Sequence, residues 1–227
     1  MTYNIEDNKK FCEILVEKLE LNRLPVAVKF IKSEDEVPEG IEKIDEKLRH
    51  CEMVTKAGKG EIFYSSAEEQ KCKGGSSAMG LEALPPKIAS GEFYYSLGRF
   101  DSVETAKKLI DTIPRKTEES YGILYSSLDL ANFEADVLVI ITNPKQGMEI
   151  TQFLVYNTGD RVEANFAGIQ SLCADAVSGP YTLNCPNVTL ACDGSRGYAG
   201  LEEEEIIYGL PKDNIKPLID SIVALSK

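Results

Sequence analysis

Residues 136–142 read Asp-Val-Leu-Val-Ile-Ile-Thr. Valine and isoleucine dominate this run, and β-branched side chains suit a pleated sheet better than a helix. Polar and apolar residues do not alternate here. A strand built from the run therefore presents apolar side chains to both faces, and belongs inside a sheet covered on both sides. Asn143-Pro144 closes it, because proline cannot continue a ladder but fits the first turn of a helix. Ile150, Phe153 and Leu154 then recur at helical spacing.

The same reading extends outward. Toward the N-terminus, Tyr121–Ser127, Leu24–Ile31 and Glu61–Tyr64 have strand character, and Glu92–Leu97 reads as a further short strand. Phe11, Ile14, Leu15 and Leu19 mark a helix over 6–21. Ile41, Ile44, Leu48 and Cys51 repeat at threes and fours and predict a second helix, ended by Gly58 and Gly60. Ser102 caps a helix that Pro114 stops.

Toward the C-terminus, Arg161–Phe166 and Asn187–Cys192 read as strands. Ile169, Leu172, Cys173 and Ala176 mark one helical face, and Ile215, Leu218, Ile219 and Ile222 another. The acidic run Glu202–Glu205 is the solvated start of an element. Interleaved strands and helices, without a linker or repeat, predict one compact α/β or α+β domain over 1–227, with a mixed β-sheet flanked by helices.

The chain has 227 residues, and its 37 acidic and 25 basic side chains give a net charge of −12. That charge repels phosphate backbones and argues against a nucleic-acid partner. No apolar run is long enough to span a membrane, and Met1–Asp7 lacks the pattern of a secretory leader. The expected compartment is the cytoplasm. Disulfides are disfavoured there, so the six cysteines need another account. The single histidine, His50, reads as a surface or boundary residue. Dinucleotide, phosphate-loop and serine-hydrolase fingerprints are absent from the sequence.

Cys12 falls on an apolar helix face and reads as core. Taken singly, Cys51, Cys173 and Cys192 also fit core positions. Cys72 differs: it lies between Lys71 and Lys73, ahead of Gly74, Gly75 and Ser76. Nearby cations stabilise a thiolate, and glycines let the backbone approach a bound group. Cys192 opens a second glycine-punctuated loop, Asp193-Gly194-Ser195-Arg196-Gly197, in which Arg196 has the fork geometry to grip an anion. Lys71, Lys73, Gly74, Gly75, Ser76 and Arg196 are thus candidate ligand-binding residues.

Two stretches carry a family resemblance. Cys51…Ala57-Gly58…Cys72-Lys-Gly-Gly…Met79-Gly80-Leu81, with Cys173…Cys192-Asp-Gly-Ser-Arg…Tyr198…Glu205…Leu210-Pro211, resembles the domain of unknown function 169 family. The resemblance runs from about Leu24 to Pro211. It implies an archaeal or anaerobic setting and no particular reaction. It also ranks the cysteines, since Cys51, Cys72, Cys173 and Cys192 match the pattern while Cys12 and Cys185 do not. Ala191 departs from it, standing where a glycine often precedes the late cysteine.

Four matching cysteines equal the ligand count of a [4Fe–4S] cluster, and a four-cysteine zinc site is the alternative. The leading expectation is a cluster-binding protein doing redox or Lewis-acid chemistry on a small anionic substrate, or serving a redox partner protein. A thiol–disulfide redox protein and a non-catalytic ligand-binding module with core cysteines are the competing readings.

Overall fold

The computed structural model describes residues 3–225. Six strands, β1 (Val26–Ile31), β2 (Ile62–Ser66), β3 (Gly122–Ser127), β4 (Val137–Thr142), β5 (Asn187–Thr189) and β6 (Ile206–Pro211), form one sheet in the order β2-β3-β1-β4-β6-β5. Every pairing between these strands is antiparallel. Parallel pairing is confined to two isolated bridges at the β2 end, Lys43 with Tyr64 and Leu48 with Gln70. The fold is therefore of the α+β kind.

The run that opened the sequence reading lies inside this sheet, and all six residues of β4 are buried. Val137, Val139 and Ile141 face one core; Leu138 and Ile140 face the other. Helices α1 (Asn8–Leu19), α7 (Pro144–Val155) and α10 (Lys212–Leu225) contribute buried residues to the Leu138 side. Asn143 caps α7, exchanging hydrogen bonds with Gln146 at 2.9 and 2.8 Å, and Pro144 occupies the first turn.

The Val139 face carries α2 (His50–Ala57), α3 (Lys73–Ala78) and a π-helix, Ser171–Ser178, all eight of whose residues are buried. Short helices α8 (Gly179–Leu183) and α9 (Asp193–Tyr198) follow. A small third core joins α4 (Pro86–Ala89), α5 (Glu92–Ser96) and α6 (Val103–Ile110), with Ile88, Tyr94, Ala106, Ile110 and Ile169 at its centre. Contact between β6 and the π-helix is closest at Gly209, where an added Cβ would lie 1.9 Å from the Ala176 carbonyl oxygen.

Several sequence expectations change. Within the expected strand 92–97, residues 92–96 form α5, because tertiary packing in the small core overrides the strand preference of their aromatics. Residues 41–49 are not helical: the chain runs along β2, and the helix begins at His50. Residues 161–166 take no strand pairing, and β5 stops at Thr189. The strand β6 carried no separate signal beyond its acidic start.

Helix α1 ends on Glu20 in the left-handed conformation, φ 52°. A side chain there costs about 1–2 kcal/mol, partly offset by the greater freedom glycine loses on folding. Glu20 is exposed, and its charge faces the negative end of the helix dipole. Glu20→Gly is expected to raise stability by about 0.5–1 kcal/mol, seen as a small upward shift in Tm. An unchanged or lower Tm would contradict this account of the cap.

Candidate functional site

Four remote segments meet above the Val139 face. Cys51 sits in the first turn of α2, and Cys72 is the residue that α3 starts from. Cys173 lies in the first turn of the π-helix, and α9 starts from Cys192. All four cysteines line one cavity of about 850 Å3, within the usual size range of ligand pockets. Their placement follows from the local sequence. The glycines after Cys72 let α3 pack tightly, and β5 delivers the chain to Cys192.

The thiols are electrostatic neighbours. Burial, reinforced by Cys192 and Cys72, pushes the Cys51 thiol up to about 12. Burial raises Cys173 well above the ordinary thiol value, reinforced by Cys72, Cys192 and Cys51. Buried thiols in this state are neutral, and several thiolates together need a cation.

Glycines leave room among them. A Cβ on Gly75 would stand 3.5 Å from the Cys173 sulfur and 3.7 Å from the Cys72 sulfur, so a side chain there would press on both. A Cβ on Gly194 would stand 3.7 Å from the Cys192 sulfur, and the Cys51 sulfur is 3.9 Å from the Gly194 carbonyl oxygen. Among the described residues, no three His, Cys, Asp or Glu side chains are grouped closely enough to hold a single metal ion.

The other predicted site residues divide. Lys71, Lys73, Gly74 and Gly75 line the cavity. Ser76 lies behind it, fully buried, its hydroxyl without a hydrogen-bond partner. Arg196 does not face the cavity. Its guanidinium donates to the carbonyl oxygens of Glu202 at 2.6 Å, Leu190 at 2.8 Å and Glu205 at 2.9 Å, bracing the loop from behind. The expected anion grip by Arg196 is therefore corrected: its donors are spent on backbone. Other residues of its loop, Cys192 to Ser195, line the same cavity as Cys72.

Three residues carry more of the site than the sequence reading allowed. His50 is buried, not on the surface: it lines the cavity at 1% exposure. Burial drives it down to about 3, so the ring is neutral. Its Nδ1 lies 2.9 Å from the Tyr125 hydroxyl, which accepts from Gln70 at 3.3 Å. Arg49, next in sequence, lays its guanidinium 3.5 Å from the centroid of the Tyr198 ring. Arg115 approaches from behind Cys173; its Nη1 donates to Gln170 at 3.3 Å and its buried Nη2 has no partner. Arg115 makes no ion pair with a carboxylate among the described residues. A lone histidine or a single arginine carries no motif, so pattern reading passes over them.

Backbone strain marks the same place. Gln170, at the head of the π-helix, and Ala191, just before Cys192, are both left-handed, with φ 54° and 69°. Such conformations cluster at functional sites, as do π-helical turns. They also explain the family preference for glycine before the late cysteine. The position demands positive φ rather than a small volume.

The family model for DUF169, described as Uncharacterised ArCR, matches residues 14–221. The chain belongs to this family. The DUF169 match is wider than the stretch the motifs suggested, and it takes in all four cavity cysteines while Cys12 falls outside it. An uncharacterized protein of Methanocaldococcus jannaschii, MJ0308, is 42% identical over 219 residues, covering 96% of this chain and 92% of that one. No solved structure matches this DUF169 chain. No helix among the described residues is long and apolar enough to cross a membrane.

Proposed function

We propose that the cavity holds a cysteine-ligated iron–sulfur cluster of the [4Fe–4S] type, with Cys51, Cys72, Cys173 and Cys192 as its ligands. The observation that carries this reading is their convergence: four thiols from four segments line one cavity, while Cys12 is in the opposite core and Cys185 is exposed. Four ligands scattered singly along the chain favour a cluster over zinc, since structural zinc usually draws on paired CxxC-like turns. A single ion with Zn–S bonds of about 2.3 Å draws its sulfurs to within about 4 Å of one another. The ligands of a cubane cluster stand roughly 6–7 Å apart. The cavity of about 850 Å3 that the four cysteines line has the volume for an inorganic core. Arg115, a cation without a carboxylate partner beside Cys173, offsets the negative charge that four thiolates bring.

Bound in this way, a cluster supplies electron transfer or a Lewis-acidic iron. The chain's own residues hold it, screen it with Tyr94, Leu172 and Ile169, and admit a small anionic ligand from the open side. Protein purified without oxygen, or reconstituted with ferrous iron and sulfide, should be brown and carry about four iron and four sulfide per chain. A colourless protein with a titratable disulfide would replace this reading with thiol–disulfide exchange. Inert thiols and no metal would leave a plain binding module.

A further inference from the structure

Outside the thiols, the cavity wall has a composition at odds with the rest of the chain. Five basic side chains, Arg49, Lys71, Lys73, Lys87 and Arg99, line it against one carboxylate, Asp193. This occurs in a protein whose net charge is −12. Lys73 is partnered by Glu82, Arg99 by Asp193, and Arg49 by Glu52. Lys71 and Lys87 are exposed and make no ion pair among the described residues.

The same wall is apolar at its mouth. Phe93, Leu97 and Tyr198 line the cavity yet are 42%, 47% and 58% exposed. Single exposed apolar residues are ordinary, but a group of them around a concave surface marks a binding site. A site for a compact anion such as free phosphate would have no use for this surface. A site for a neutral lipid would have none for two unpaired lysines.

We propose that the outer part of the cavity binds one amphipathic anion: a small molecule with an apolar, partly planar body and a carboxylate, sulfonate or phosphate end. The body lies against Phe93, Leu97 and Tyr198, whose ring already stacks on a planar cation, Arg49. The anionic end meets Lys71 and Lys87. This inference rests on the cavity being the functional site, and it does not require that a cluster be present.

The test uses full-length protein and the dye 1-anilinonaphthalene-8-sulfonate, an aromatic anion. Saturable binding of one dye per chain is expected, followed by fluorescence and by titration calorimetry. The double variant Lys71→Glu/Lys87→Glu should weaken it at least about tenfold, and Phe93→Ser/Leu97→Ser should do the same, with circular dichroism and Tm unchanged. Lys59→Glu, beyond the far end of α2, is the control for net charge and should leave affinity as it was. Inorganic phosphate in excess should not displace the dye.

No saturable binding, full affinity in the lysine variant, or displacement by phosphate would each overturn the proposal. Measuring metal-free and iron-loaded protein separates the two readings. Dye binding to protein that cannot be loaded with iron refutes the cluster alone. Iron-loaded protein that ignores the dye refutes the ligand site alone.

Discussion

Serine at position 72 or 192 is expected to lower bound iron from about four per chain to well below that, with loss of colour, because an alcohol is a far poorer iron ligand than a thiolate. Both cysteines are half-buried rather than sealed in the core. A hydroxyl there can reach water, so the fold should survive and iron content becomes a clean readout. Cys51→Ser and Cys173→Ser should lose iron as well, and also lose stability in the metal-free protein, since each places a hydroxyl in a buried apolar setting at a cost of about 1–3 kcal/mol. Two controls bracket the series. Cys12→Ser, buried in α1 on the other side of the sheet, should reduce stability by a similar amount and keep its iron. Cys185→Ser, exposed, should change neither. Iron retained in full by any one of the four variants would remove that residue from the ligand set. Retention by two would end the common-site proposal.

Gly209→Ala is expected to be the most damaging single methyl in the protein. The added carbon would stand 1.9 Å from the Ala176 oxygen and 2.6 Å from its carbonyl carbon. Those are backbone atoms of the buried π-helix, so no side-chain rotation relieves the overlap. The strand and the helix must move apart, and β6 is paired on both sides, to β4 and β5. Overpacking of this kind costs about 3 kcal/mol or more, a large share of a stability of about 5–15 kcal/mol. Gly147→Ala is the matched comparison. Its Cβ would meet the tip of the Ile206 side chain at 2.7 Å, which can swing away, while alanine favours the helix by about 1 kcal/mol. Urea denaturation should find the Gly147 variant near wild type and the Gly209 variant insoluble or severely weakened. Equal behaviour would show that β6 and the π-helix separate easily.

The parts of this molecule legible in its sequence are those set by local rules. An uninterrupted β-branched run placed β4 in the interior, and capping at Asn143 and Ser102 placed two helix starts. The four cysteines separated from Cys12 and Cys185 through family pattern, not through periodicity, since Cys51 and Cys173 look like core residues when read alone. What escaped depends on neighbours distant in sequence. Ile41, Ile44 and Leu48 have helical rhythm, but the chain there bridges to β2 at Lys43 and to Gln70 at Leu48 while its apolar side chains turn inward. His50 has no motif, and only the packing of α2 on β3 brings it to Tyr125. Arg196 has the chemistry of an anion grip, but three nearby carbonyl oxygens claim it first.

The place of β6 in the sheet bears on when the cavity can exist during synthesis. It is the last strand made, yet it lies between β4 and β5. While the ribosome is still adding residues before Ile206, β5 has no partner in the sheet, and the segment it delivers, from Ala191 to Tyr198, has its contacts with α2 and Arg99 but no sheet behind it. Every cavity-lining residue has by then been made, yet the loop carrying Cys192 gains its support from the sheet only when β6 slots in beside β4. Arg196 and Arg23 then fasten it, the first to the Glu205 carbonyl and the second to the Glu205 carboxylate. The wall around the thiols is thus completed by β6. That strand contributes no residue to the cavity, yet one side of the cavity wall rests on it.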